Sequence, residues 1–135
     1  MSTFKSLEEA VEYFRGDRFA TENNMTLDAI GEKSSVCSMT LTSRHLNANG
    51  GVMGGAIFTL ADFAFAVAVN NVHRPTVAQQ VSINYLNAPR GGRLIATACC
   101  LKDGRTTCVY IVDVTDDTNR PVAQFVGTGY KLGVE

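Results

Sequence analysis

Hydrophobic residues along this chain follow two periods, and the changes between them predict the elements. Leu7, Ala10, Val11 and Phe14 fall at i, i+3, i+4 and i+7, one face of a short helix. Ser6 and Glu9 frame its start as a capping box, each satisfying the other's free backbone N–H, and Gly16 marks its end. Residues 17–24 read as a polar connection and 25–30 as a first strand. Cys37, Met39 and Leu41 alternate with Ser38, Thr40 and Thr42, the period of a half-buried strand. From Gly54 to Asn71 apolar residues fill nearly every position, until Asn70-Asn71 and Pro75 close the segment as a helix. Alternation then returns. Val77, Gln79, Val81, Ile83 and Tyr85 are expected on one face of a strand, with Ala78, Gln80, Ser82, Asn84 and Leu86 on the other. Segments 93–101 and 106–115 flank Asp103-Gly104, a hairpin signal. A polar turn over 116–120 precedes a last strand over 122–132.

Strands segregated from one long helix predict an α+β domain with an antiparallel sheet. A helix apolar on every side needs cover all round, and a strongly curved sheet wrapped around it supplies that. The outer face of the sheet is expected to keep Val81, Ile83, Val112 and Val126, and so to pack on another subunit. A homo-oligomer is the expectation. The 135 residues read as one domain, 1–135, long enough to bury a core without disulfides or a metal.

Charge narrows the function classes. Twelve Lys and Arg against thirteen Asp and Glu leave a net charge of −1, which argues against a nucleic-acid binder. The N-terminal segment carries acids where a signal peptide needs basic residues, so a cytoplasmic location is expected. The apolar run over 52–69 contains Asp62, and a mid-span Asp costs about 2.5–3.5 kcal/mol on membrane insertion scales. A buried helix is the better reading than a membrane span. Cys37, Cys99, Cys100 and Cys108 form no C-x-x-C pair, and His45 and His73 lack zinc-ligand spacing. The cysteines read as small buried hydrophobes, and no metal site is expected.

Three features carry chemistry. Asp62 has Phe58, Thr59, Phe65 and Ala66 as its helical neighbours, and residues 61–69 are otherwise apolar. A carboxylate there either pairs with a buried donor or stands poised as a general base or nucleophile. The helix entry, Asn47-Ala48-Asn49-Gly50-Gly51-Val52-Met53-Gly54-Gly55, is either a flexible turn or a place where free helix amides meet a substrate oxygen. Arg90, Arg93, Lys102 and Arg105 surround a single acid, Asp103, which makes a local basic surface.

Together these segments resemble the hotdog-fold acyl-CoA thioesterases, in their phenylacetate-pathway (PaaI-like) branch. The family signature N-x-x-G-x-x-H-G-G followed by L-x-D is matched by Asn47 to Gly55 and then Leu60-Ala61-Asp62. The resemblance continues through residues 82–86, 102–106 and 122–124, and covers about 40–132. It implies a curved antiparallel sheet around one long central helix, the hotdog fold, with a short N-terminal helix. By position, Asp62 would be the catalytic carboxylate. The Gly54 amide would polarise the thioester carbonyl, and Asn47 would position substrate or water. Met53, Gly55, Ala78, Gln80 and Tyr85 would border the substrate, while Lys102, Gly104, Arg105 and Thr106 would meet the CoA moiety. Asn and Gly would come from one subunit and Asp from its partner, in a homodimer or a dimer-of-dimers tetramer.

The implied activity is hydrolysis of an acyl-CoA thioester, with CoA as part of the substrate and no cofactor. Neither nucleic acid nor membrane is expected as a partner. Met53 stands where the family's common form has His, and Met cannot donate a hydrogen bond. An acyl-CoA-binding or sensing protein without turnover is therefore the alternative.

Overall fold

The computed structural model describes residues 1–134. Two short helices, α1 (Leu7–Phe14) and α2 (Arg18–Thr21), precede strands β1 (Met25–Gly31) and β2 (Ser34–Thr40). The long helix α3 (Gly54–Asn70) follows, then β3 (Thr76–Tyr85), β4 (Arg93–Asp103), β5 (Thr107–Asp116) and β6 (Pro121–Lys131). The six strands form one antiparallel sheet in the order β1-β2-β4-β5-β6-β3. Its inner face holds α3, whose residues Leu60, Ala61, Phe63, Ala64, Phe65, Val67 and Ala68 are buried. This is the expected α+β arrangement.

Specific contacts set how closely the sheet wraps the helix. Gly127 and Gly129 lie on β6 opposite Phe65, where a Cβ on Gly127 would stand 2.8 Å from the Phe65 ring. The missing side chains make room for that aromatic between Phe125 and Tyr110. Ser35 of β2 donates its hydroxyl to the Ala64 carbonyl at 2.6 Å. At the C-terminal end, Asn70 bonds both backbone groups of Thr76, while Asn71 accepts from the Phe4 N–H and donates to the Gly31 carbonyl. Two side chains thus tie the helix end to β3, to β1 and to the N-terminal segment.

The structure corrects several expectations. The connection over 17–24 contains α2, which Asp17 caps by accepting from the Ala20 N–H. A bulge between Ala78 and Gln80 inserts one residue into β3 and reverses the face assignments before it. Ala78 therefore shares the inner face with Val81, Ile83 and Tyr85, and Val77 turns outward with Gln80. Val112 is fully buried against the helix, and Val81 and Ile83 also pack on the core. The outer face instead carries Val36, Ile95, Val109, Ile111 and Val126, all partly buried. Cys99 is exposed rather than buried, on the strand face opposite Cys100.

Gly127→Ala is expected to lower stability by about 1–3 kcal/mol, because neither Phe65 nor Phe125 has room to yield. Gly92→Ala, with open space around it, is expected to stay within about 0.5 kcal/mol of the parent in urea denaturation.

Candidate active site

The N-terminus of α3 is built to leave backbone donors open. Its N-cap position is Met53, which makes no side-chain cap, whereas Ser, Thr, Asp or Asn there would bond the first N–H groups. The Ala56 and Ile57 N–H groups turn back to the Met53 carbonyl, at 3.0 and 3.3 Å. Among the described residues, the Gly54 and Gly55 N–H groups have no partner. They sit at the positive end of a 17-residue helix. Tyr85 of β3 steadies this end by donating its hydroxyl to the Gly54 carbonyl at 3.0 Å. A Cβ on Gly54 would lie 3.2 Å from the same ring, so glycine lets the strand and the helix end meet. The Gly54 carbonyl and the Gly55 N–H belong to one peptide group, so the tyrosine also orients that amide.

The preceding turn presents a further donor. Asn47 Oδ1 accepts from the Asn49 and Gly51 N–H groups at 2.9 and 3.1 Å, with Gly50 at a φ of +80° closing the turn. Its oxygen is committed to the turn, and its Nδ2 has no partner among the described residues. Below the turn, His45 is buried at the end of the short turn Ser43–His45. Its Nδ1 accepts from the Thr42 N–H and its Nε2 donates to the Asn23 carbonyl, both at 3.0 Å. The His45 carbonyl accepts from the Met53 N–H at 2.8 Å, which anchors the helix entry.

Asp62 lies on the one side of α3 that the sheet leaves partly open, with Gly55, Thr59 and Ala66 above and below it. Its carboxylate has no hydrogen-bond or ionic partner among the described residues. Burial pushes its pKa above the usual carboxylate range, and the negative charge of Asp17 adds to the shift.

Two cavities flank the helix start. One, of about 330 Å³, lies between Gly55, Met53 and Thr59 of the helix side and Phe19 and Met25 opposite. The Met53 side chain folds over Gly55 at its rim and is 55% exposed. The other, of about 420 Å³, is bordered by Asn47, Gly54, Tyr85 and Leu86.

Within one chain, Asn47, Met53, Gly54, Gly55 and Tyr85 come together, and the other predicted residues do not. Eight residues at about 1.5 Å each put Asp62 roughly 12 Å along the axis from Gly54. Ala78 and Gln80 lie seven and five strand residues back from Tyr85, toward the opposite end of the sheet. Lys102, Gly104, Arg105 and Thr106 belong to the β4–β5 hairpin at that far end. There the Lys131 ammonium bonds Asp103 and the Gly104 carbonyl, and Lys33 also pairs with Asp103.

Comparison with known proteins decides the family. The thioesterase superfamily profile matches residues 49–123, more than half of the chain. The chain belongs to the thioesterase superfamily. It is 31% identical to the acyl-coenzyme A thioesterase PaaI of Escherichia coli over 130 residues, 96% of this chain and 93% of that one. The solved structure of that protein superposes with a TM-score of 0.83 at 29% identity, covering 96% and 98% of the two chains. A Streptococcus pneumoniae thioesterase protein crystallised with coenzyme A has a TM-score of 0.82 at 29% identity, over 90% and 98%. Human acyl-coenzyme A thioesterase 13 is 32% identical over 104 residues, 74% of each chain. The hotdog architecture expected from the sequence is thus the fold of these superfamily neighbours.

Several residues around the helix start were not foreseen. His45, Asn23, Phe19 and Arg44 reach the helix start from α2, from the segment after it and from the short turn Ser43–His45. No local spacing in the sequence connects them to Gly54. Among the described residues, no cluster of three His, Cys, Asp or Glu is placed to hold a metal, and no helix is long and apolar enough to cross a membrane.

The raised pKa of Asp62 has a thermodynamic consequence with a definite sign. The folded value lies above the unfolded one, so the ionised acid costs stability at neutral pH, and the cost shrinks as pH falls through the folded value and is gone below the unfolded one. Asp62→Asn is therefore expected to melt higher than the parent at neutral pH. The gap should narrow in thermal scans as pH is lowered and close only below the ordinary carboxylate range.

Proposed function

We propose that this protein hydrolyses acyl-CoA thioesters at a site shared between two subunits. The observation that carries the reading is the presence on one helix of two free backbone donors and one partnerless carboxylate. These are the two halves of a thioester-cleaving site, held about 12 Å apart along the axis. The names of the superfamily relatives support the substrate class.

A thioester carbonyl oxygen over the Gly54 and Gly55 N–H groups gains charge as the carbon becomes tetrahedral, and these donors hold it without rearranging. The Asn47 Nδ2 adds a third donor or positions water. Asp62 takes the proton of an attacking water, or adds directly to the carbonyl carbon to form an acyl anhydride that water then opens. Both routes end with the free acid and CoA, whose thiolate leaves readily because a thiol pKa lies near ~8.5.

A single carbonyl cannot meet donors and a carboxylate 12 Å apart, so a second copy supplies one of them. Strand β3 provides the means. It is an uncovered sheet edge, with Val77 44%, Tyr85 51% and Leu86 53% exposed. Two β3 strands pairing antiparallel about a two-fold axis place the Tyr85 end of one beside the Thr76 end of the other. The far-end hairpin of the partner, with Lys102 and Arg105, then approaches the α3 N-terminus of the first chain and can face the CoA phosphates. This arrangement is a homodimer or a multiple of it. Met53, at the position of the superfamily signature's His, favours the second reading, an acyl-CoA sensor that binds without turnover.

The test is CoA release from short, medium, long and aryl acyl-CoAs. Asp62→Asn and Asn47→Asp, which keeps the acceptor of the turn and loses the donor, are each expected to lose at least a hundredfold in kcat. Mixed and refolded together, the two variants should recover roughly a quarter of parental activity, because half of the subunit pairs are mixed and each has one intact site. Binding without release by the parent would establish the sensor, and no recovery on mixing would sink the shared site.

Tyr85→Phe keeps the ring beside Gly54 and loses only the bond to its carbonyl. It is expected to lower kcat about three- to thirtyfold with little change in KM, since the amide it orients acts on the transition state.

A further inference from the structure

We infer that the acyl group bears a carboxylate at the end remote from the thioester, and that Arg44 binds it. The inference rests on the thioesterase reading and names the acyl class that reading leaves open. The cavity of about 330 Å³ beside Gly55 is a space at the helix start into which an acyl chain can run when its carbonyl lies over the helix amides. Phe19, Met25 and Met53 make its walls apolar, as a methylene chain requires. The side-chain donors of the other polar lining residues are engaged within the chain. The His45 Nε2 goes to the Asn23 carbonyl, and Asn23 Nδ2 donates to the Phe19 carbonyl at 2.8 Å. The Thr59 hydroxyl donates to the Gly55 carbonyl at 2.7 Å.

Arg44 is the exception. Its backbone N–H bonds the Thr42 hydroxyl, but its guanidinium has no hydrogen bond or ion pair among the described residues. The capping box formed by Thr42 and His45 fixes the turn that carries it, and the exposed Arg44 side chain borders the cavity. A largely apolar cavity bordered both by Gly55 of the helix start and by the unpaired Arg44 fits a chain with an anionic terminus, which an Arg fork binds through two parallel bonds. The phosphates of CoA are the other anions of the substrate. In the shared site the partner's hairpin, with Lys102 and Arg105, faces them, which leaves Arg44 for the acyl terminus.

Affinity for intact ligand on the Asp62→Asn protein tests this without depending on turnover. Octanoyl-CoA and suberyl-CoA have equally long acyl chains and differ in a terminal methyl or carboxylate. Calorimetry is expected to show suberyl-CoA bound about ten- to a hundredfold more tightly. Adding Arg44→Ala should abolish that preference and leave octanoyl-CoA binding unchanged. Equal affinities, or tighter binding of octanoyl-CoA, would overturn the proposal. So would an equal loss for both ligands in Arg44→Ala, which assigns the guanidinium to a CoA phosphate. Hydrolysis by the parent is scored separately: a carboxylate preference in binding with no CoA release would defeat the thioesterase reading and leave this inference standing.

Discussion

Helix α3 presents apolar side chains around most of its circumference, and no single flat layer can cover them. Burial of such side chains is worth about 1.5–3 kcal/mol each, so leaving several in water would remove much of a domain's net stability. The sheet responds by curving around the helix, and β6 gives up two side chains, at Gly127 and Gly129, to let Phe65 approach. From that wrapping the rest follows. The C-terminal end of α3 is closed by Asn70 and Asn71 bonding three other segments, while its N-terminal end emerges beside Tyr85 with two amides unused. The one side the sheet leaves partly open is where Asp62 stands.

The site works against the stability that creates it. Free N–H groups at a helix start forgo a cap worth about 1 kcal/mol, and a partnerless carboxylate in apolar surroundings is penalised whenever it ionises. The molecule could have relieved both with a serine at position 53 and an amide at position 62. That it does neither is what the chemical role proposed for these groups explains. Met53 now has a physical reading. It has no oxygen to fill the helix start, so the donors stay available, and its flexible thioether forms one wall of the adjoining cavity.

Much of the fold was legible in the sequence because period and punctuation agreed. The N-cap at Ser6, whose hydroxyl accepts from the Glu9 N–H without the return bond of a full capping box, the apolar run of α3 and the Asp103-Gly104 turn each named its element. What failed has a physical cause in each case. One bulge residue in β3 put Ala78 on the inner face, and alternation alone cannot reveal an inserted residue. Val112 alternates as an outward residue would, and only pairing with Phe125 places it inside. Asp62, Gly54 and Asn47 stood out by their chemistry against an apolar helix. Arg44, His45, Asn23 and Phe19 did not, because they converge on the helix start from separate segments through tertiary contact.

On the proposed reading, the direction of the chain explains why one copy holds an incomplete site. Donors and carboxylate occupy one helix, so no side-chain movement within a chain can bring them to a common atom. The basic hairpin is further still, about 24 Å from Gly54 if measured along α3. A partner related by a two-fold axis along antiparallel β3 edges reverses the helix direction. It thereby sets the middle and far end of one copy against the start of the other. A parallel pairing would place like ends together and leave each site lacking the same groups. The bare edge of β3, which a monomer would have reason to cover or charge, is on this reading the element that completes the chemistry.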